Sequence, residues 1–496
     1  MFIACVVSHP YPVVTSQSGQ ADRSYRRAIE GQQGHNSLSE IMQPDSQEGA
    51  NRMVRKVTHS MMNRKVLAAA LPLMLIAGAC GSSKAKTTTA ATTAAPATGS
   101  ATTKAAAAAA PAGDALIVSS DLPLQGASAD ASKDTNLAMQ LYLKQQNGKA
   151  GKFNITLKEY DNATAAKGGW DDATCAKNAQ DHVSNAKEVA VMGTYNSGCA
   201  KIEIPVLNQD KTGPMLMVSH ANTNPGITKK WDPGEPEKYY PTGKRNYGRV
   251  VATDDFQGAA GAQFAKELGL KKCVVLNDAQ TYGVGVATAF KTEAAKQGIE
   301  IVADAAWDAK QPNYSALFEG FKAKSPDCVY LGGINDNNGE QLVRDKVAAL
   351  GANTGAVKLI APDGFTGYPT LLKLTESDGM YITFAGLPAG ELVKAGGAGA
   401  KFVTDFKTAY GHDPASAYAI YGAAALQMIM KGISLSDGTR GDITAKTLSN
   451  LKIPAAESLI GKEFGIDANG DVTVKDMSIQ LVKGGAETFL KPWPVG

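Results

Sequence analysis

Histidine, cysteine and charge of a single sign are all in short supply in this chain. Its six histidines are scattered through 496 residues. No G-x-S-x-G, no H-E-x-x-H and no Cys/His cluster with metal spacing accompanies them, so nothing marks a nucleophile elbow or a zinc site. Six cysteines in so long a chain exclude a disulfide-dense miniprotein. A net charge of +3 with 20% charged residues supplies neither a basic stripe for nucleic acid nor an acidic tail. The apolar stretch Val66 to Ala77 is too short to cross about 30 Å of hydrocarbon.

What the chain does have is enough apolar residue content, 44%, for a sizeable core and more than one domain. Residues 1–61 show mixed polarity and little apolar periodicity, and read as a non-structural upstream extension. Residues 62–79 read as an export signal: Asn63, Arg64 and Lys65 form a basic start, Val66 to Ala77 an apolar run, and Ala77, Gly78 and Ala79 a small-residue end before Cys80. Residues 80–113 are almost wholly Ala, Thr, Ser, Lys, Gly and Pro, a low-complexity tether.

From Asp114 onward, strand and helix patterns alternate. Ala115 to Ser119, Phe153 to Tyr160, Glu188 to Met192 and Met215 to Val218 read as strands, with helices over Asp134 to Gln146 and Asp171 to Ser184. After a Pro- and Tyr-rich segment the pattern restarts with strands at Lys272 to Asn277, Ile299 to Ala305, Cys328 to Leu331 and Lys358 to Ile360. Such alternation predicts α/β architecture with two doubly wound parallel sheets. Ala417 to Lys431, with Tyr418, Tyr421, Ala425 and Met428 spaced by three and four, predicts a long buried helix. The run ending at Val218 stops in Ser219-His220-Ala221-Asn222-Thr223-Asn224-Pro225. A polar loop beyond a strand's carboxyl end is where open α/β sheets bind ligands, although these residues also make ordinary turns. His220 reads as a loop-shaping residue and not a base.

Several local sequences resemble the leucine/isoleucine/valine-binding proteins, the type I solute-binding proteins of ABC importers. The matching pieces are Ser219 to Pro225, Asn277-Asp278-Ala279-Gln280-Thr281-Tyr282-Gly283, Val329-Tyr330-Leu331-Gly332-Gly333, Ala361-Pro362-Asp363-Gly364 and Tyr410-Gly411-His412-Asp413-Pro414. The segment ending at Cys80 is similar to a bacterial lipobox, with Ala77 where Leu is usual, and implies an acylated Cys80 holding the protein on the outer face of the membrane.

The resemblance implies two lobes joined by three crossover strands, near Val250 to Thr253, Thr383 to Pro388 and Gly461 to Gly465. Lobe 1 would take residues 114–252 and 386–461, and lobe 2 residues 253–385 and 462–496. It implies a monomer without a cofactor that closes its lobes on a small polar solute, a branched-chain amino acid such as leucine or a related one, and delivers it to an ABC permease. A sensor on the same fold, or a binder of an amide or small carboxylate, stays open.

An amino acid brings a carboxylate and an ammonium, and burying either without a partner is costly. Ser197 and Thr223 can donate to the first, Ala221 offers a carbonyl, and Asp363 can meet the second. The family pattern implies these roles, places Asn222 in the same loop and lays Tyr282 over the ligand. It also puts Ile334 where the family often has an aromatic, which removes a cation–π contribution. Each residue also has a plainer role: Asp363 before Gly364 as a turn, Ser197 and Thr223 as helix caps. Cys175 with Cys199, and Cys273 with Cys328, would each bridge or stay free; the latter pair starts two strands that a 2-1-3 order makes neighbours. Gly283-Val284-Gly285 is a poor dinucleotide loop, and Asp467 to Asp471 lacks the Gly and Glu positions of a calcium loop.

Overall fold

The computed structural model describes residues 115–494, all within one compact unit. The expected upstream extension, export signal, Cys80 and tether lie outside them. In chain order the first half runs β1 (Ala115–Leu122), α1 (Ala129–Gln145), β2 (Lys149–Ala150), β3 (Phe153–Asp161), β4 (Ala163–Thr164), β5 (Gly169–Trp170), α2 (Asp172–Ser184), β6 (Glu188–Gly193), α3 (Ser197–Asn208), β7 (Leu216–Ser219) and β8 (Tyr247–Arg249). Then come α4 (Asp254–Glu267), β9 (Lys272–Asn277), α5 (Thr281–Gln297), β10 (Glu300–Ala306), α6 (Ser315–Lys322), β11 (Cys328–Gly332), α7 (Gly339–Leu350), β12 (Lys358–Ala361), α8 (Pro369–Leu372) and β13 (Tyr381–Phe384). The chain closes with α9 (Ala389–Ala395), α10 (Gly397–Tyr410), α11 (Tyr418–Ser434), α12 (Arg440–Thr447), β14 (Lys452–Ile453), β15 (Phe464–Gly465), β16 (Met477–Lys483) and β17 (Ala486–Trp493).

Two sheets organise these elements into two lobes. The first has the order β2-β3-β1-β6-β7-β8 and the second β10-β9-β11-β12-β13-β16-β17. Only β2 in the first and β16 and β17 in the second run antiparallel to their neighbours. The central strands are apolar at consecutive positions because both faces are covered. In the second sheet Val274, Leu276, Val329, Leu331 and Leu359 pack on one side. Val275, Tyr330 and Ile360, one residue out of step, pack on the other, as the two-residue period of a strand requires. In the first lobe Val118, Met192 and Val218 share a cluster with Ile420, Leu426 and Ile429 of α11. Each such fully buried side chain contributes about 1.5–3 kcal/mol.

Helix α5 begins at Thr281. Gly283, Val284 and Gly285 therefore lie inside its first turns and form no phosphate loop. The helix ends at Gly298 in the left-handed region, φ 72°, a conformation glycine adopts without strain.

The chain first leaves lobe 1 after Val250, Val251 and Ala252, which still pack on that lobe's core. It returns near Gly386, whose φ is 154° and whose added Cβ would lie 2.2 Å from the Tyr421 hydroxyl. The third passage differs from the expected Gly461 to Gly465. Phe464, Ile466 and Val472 still belong to the core of lobe 1, and Arg249 of that lobe pairs with Asp471 at 3.0 Å. We therefore propose that lobe 1 extends to about residue 472 and that the chain crosses just before β16.

Cys175 on α2 and Cys199 on α3 are joined by a disulfide with Cα atoms 5.6 Å apart. Cys273 and Cys328 are direct register partners on β9 and β11 and form a second. No helix among the described residues is long and apolar enough to cross a membrane.

Candidate functional site

The carboxyl ends of both sheets face a cleft, and at its base lies a cavity of about 290 Å³ lined by Tyr195, Asn196, Ser197, Ala221, Tyr282, Ile334, Asp363, Gly364 and Tyr418. Five of the residues singled out in the sequence therefore meet there: Ser197, Ala221, Tyr282, Ile334 and Asp363. They come from five separate loops and helix starts, after β6, β7, β9, β11 and β12, which is how a sheet's carboxyl edge assembles a site.

Ser197 opens α3. The first turn of a helix presents unsatisfied N–H groups and the positive end of its dipole, so an anion is favoured there. The Ser197 hydroxyl accepts the Asn224 N–H at 3.3 Å, and the Asn196 side-chain oxygen beside it has no partner. Ala221 brings the loop after β7 against the same space.

Asn222 and Thr223 do not line the cavity. Asn222 is fully buried behind it, where its amide donates to the Thr194 carbonyl at 2.8 Å and the Tyr195 carbonyl at 3.0 Å and its oxygen accepts from the Tyr247 hydroxyl at 3.2 Å. It pins two lining loops together. The Thr223 carbonyl accepts the Asp254 N–H at 2.8 Å, tying the loop to the start of α4. Arg249, also wholly buried, donates to the carbonyls of Asn222 at 2.8 Å and Asn224 at 3.0 Å and to the Thr228 hydroxyl at 2.7 Å. This clamp was not anticipated, because an isolated Arg in a short strand carries no motif.

Asp363 follows β12 and is buried. One carboxylate oxygen accepts from the Tyr282 hydroxyl, and the other from the Tyr418 hydroxyl. Tyr282 in turn accepts the Gly364 N–H at 3.0 Å. Burial raises the Asp363 pKa, against the lowering effect of these donors, and burial and the nearby acid raise both tyrosines. Among the lining residues there is no Lys, Arg or His. Asp254, deeper still, has its own pKa raised by burial and then by Asp363. Two acids thus lie close together, and the Arg249 guanidinium acts on Asp254, the one that does not line the cavity. Gly364 leaves no room for a side chain, since a Cβ there would sit 2.3 Å from the Gly333 carbonyl.

Tyr195, Tyr418 and Asp254 were missed. Tyr418 sits on the buried face that the helical spacing assigned to core, and one face of one helix here serves both purposes. His220 lies behind Tyr195 and Tyr418, with ring centroids 5.4 and 6.2 Å away. Burial pushes it down to about 3, so it stays neutral and acts as packing.

Bonds across the cleft include Tyr418 to Asp363, the Asn224 amide to the Thr281 carbonyl at 3.1 Å, and the Ser128 hydroxyl to Asp336 at 2.8 Å. Asp336 also accepts from Tyr368 at 2.6 Å.

Among the described residues, Asp121, His182 and Glu203 have metal-ligand character, as does each cysteine pair with one acid. The cysteines are in disulfides. His182 engages Asp121 at 3.1 Å and also Glu188, so both ring nitrogens already serve a network that joins β1, α2 and β6.

A 25% identical amino acid binding protein of Pseudomonas aeruginosa aligns over 59% of this chain and 71% of its own length. A Leu/Ile/Val-binding protein of Rhizobium johnstonii is 28% identical over 60% of this chain and 73% of its own. In fold the chain is similar to a leucine-binding protein from Thermotoga maritima, with a TM-score of 0.64 and 23% identity over 76% of this chain and 98% of the other. It is also similar to an ABC transporter solute-binding protein from R. palustris in complex with benzoate, with a TM-score of 0.62 and 20% identity over 76% and 96%. The sequence profile of the periplasmic binding proteins matches residues 122–486, and with two doubly wound lobes meeting at one cavity the chain belongs to that family.

Proposed function

We propose that this chain is an extracytoplasmic solute-binding lipoprotein that closes its lobes on a small amino-bearing solute, a branched-chain or related amino acid, and passes it to an ABC permease. One observation carries the choice of ligand: Asp363 is buried in a cavity lined by no cationic side chain. A ligand ammonium supplies the missing charge, and charge-assisted hydrogen bonds of this kind contribute about 1.5–3 kcal/mol each. The ligand carboxylate would lie at the start of α3 beside Ser197, and the Ala221 carbonyl would take a second ammonium proton. Ile334 and the tyrosine rings would cover the side chain. Benzoate, which the R. palustris protein was solved with, brings a negative charge and no cation to the same acid, so the aromatic-acid reading is the weaker one.

Anchoring through Cys80 rests on the sequence before the described residues, and delivery to a permease on kinship with the binding proteins. A thermal-shift screen of amino acids, amino amides and benzoates tests the ligand, because a solute that binds only the folded state raises the melting temperature. L-leucine or a close relative should give the largest shift. A shift with benzoate and none with any amine would overturn the proposal.

A further inference from the structure

Trp170 was not among the residues singled out in the sequence, yet it stands where the two lobes meet. It ends the small hairpin of β4 and β5, in which Ala163 pairs with Trp170. The hairpin is fixed to lobe 1. Asp161 accepts the N–H groups of Leu124 and Ala163, both at 2.9 Å, and the Asn178 amide donates to the Asp161 carbonyl at 3.0 Å.

From that base the indole reaches two different surfaces. On its own lobe it lies on the backbone of Gly198: a Cβ added there would be 2.4 Å from the Trp170 Cη2 atom. Gly198 follows Ser197, which lines the ligand cavity. On the opposite lobe Trp170 packs against the apolar cluster that contains Tyr282 and Ile334, both also lining residues. A second hollow, of about 380 Å³, lies outside this point and is lined by Trp170, Ile334 and Asp336 among others. Ile334 therefore borders both spaces, and the indole stands next to the residues that bound the inner one.

We propose that Trp170 is the partition between the ligand cavity and the outer hollow, and that it sets the upper limit on ligand side-chain size. The assignment rests on the reading of the cavity as an amino-acid site. The partition forms only when the lobes meet, because one of its two contacts belongs to each lobe. Neighbouring bonds keep the hairpin at that meeting: Asp336 of lobe 2 accepts the Ser128 N–H at 3.1 Å, and a Cβ on Gly169 would come within 3.3 Å of the Asp336 carboxylate. The half-buried indole has neighbours from both lobes, so its emission should report closure.

The test is calorimetric titration of the full chain with L-alanine, L-valine, L-leucine, L-phenylalanine and L-tryptophan, repeated with Trp170→Ala and Trp170→Phe. The wild type should prefer the aliphatic ligands. In Trp170→Ala the two hollows join, and the ratio of phenylalanine to leucine affinity should rise by about tenfold or more, the scale on which an apolar pocket discriminates by size. Trp170→Phe keeps an apolar ring at the site and should shift the same ratio in the same direction by a smaller factor, so it decides the matter if the alanine variant does not fold. Ligand should also change the emission of the wild type, and this change should shrink in Trp170→Phe. A wild type that ignores the whole panel would overturn the amino-acid reading and this assignment together. A wild type that binds leucine, beside folded variants that keep its ratio, would overturn the assignment of Trp170 alone.

Discussion

Tyr418 and Asp363 meet across the cleft, the phenol from the start of α11 in lobe 1 donating to the acid that follows β12 in lobe 2. The same acid takes the Tyr282 hydroxyl from its own lobe. On the proposed reading, Asp363 would couple the ligand's ammonium to the closure of the lobes. Asp363→Asn keeps the shape and removes the charge, and L-leucine affinity should fall by roughly 10- to 150-fold, the equivalent of about 1.5–3 kcal/mol. Tyr418→Phe should weaken binding less, since it removes one neutral donor. Titration calorimetry checks both; an Asp363→Asn variant with unchanged affinity would remove the acid from the site.

Arg249 carries the loop from Asn222 to Thr228 on three donated hydrogen bonds and an ion pair with Asp471. Removing one partner of a buried ion pair leaves the other uncompensated and costs about 3–5 kcal/mol. Arg249→Met should lower the denaturant midpoint accordingly and blunt ligand binding with it. A double change with Asp471→Asn should recover part of the loss.

His220 gives the protein a defined acid sensitivity. Its folded pKa is pushed down to about 3 by burial, below the ordinary histidine value of about 6.5. The unfolded chain then binds more protons than the folded one between those two values, so stability is fully present above about 6.5 and is lost as pH falls toward 3. The slope is at most about 1.4 kcal/mol per pH unit. His220→Phe should flatten this part of the stability profile, measured by urea unfolding at a series of pH values.

The two disulfides close segments with sequence separations of 24 and 55, for which loop-closure entropy gives roughly 3.5 and 4 kcal/mol. Reduction should lower the unfolding midpoint, and the Cys273→Ala/Cys328→Ala pair should cost at least as much as Cys175→Ala/Cys199→Ala. Equal stability with and without reductant would mean that the bridges do not contribute.

Gly386 sits at a passage between the lobes with positive φ, against the Tyr421 hydroxyl, which accepts the Leu387 N–H at 2.8 Å. Gly386→Ala should both strain the backbone and displace that tyrosine. We expect slower closure in stopped-flow fluorescence and a lower melting temperature, with Tyr421→Phe reproducing only the second effect.

The alternation of patterns made the two sheets legible, because apolar runs such as Lys272 to Asn277 and Cys328 to Leu331 have the length and the flanking turns of buried parallel strands. Asp363 and Tyr282 stood out by resemblance to a family, and Ser197 and Ala221 by their place beyond strands. The rest of the site was hidden for stated reasons. Tyr418 shares its spacing with core residues, Asp254 opens a helix beside a second acid, Asp255, as many surface helices do, and Arg249 is a single charge in a short strand. Trp170 acts through a hairpin whose strands, Ala163–Thr164 and Gly169–Trp170, are too short to leave any periodic trace. We propose a later third passage because Arg249 ties the turn from Asp467 to Asp471 to lobe 1, a contact that only the folded chain brings about.

Thr228 and Asp471, hydrogen-bonded at 2.7 Å, are 243 positions apart. The loop that carries Ala221 is thus tied to a residue far along the chain. A first lobe produced by itself from residues 114–252 with 386–461 joined on would have every lining residue it owns, Tyr418 included, and still lack this tie. Such a fragment would hold Arg249 in its core without its acid. On the proposed reading, removing Asp471 should weaken binding although Asp471 itself does not line the cavity.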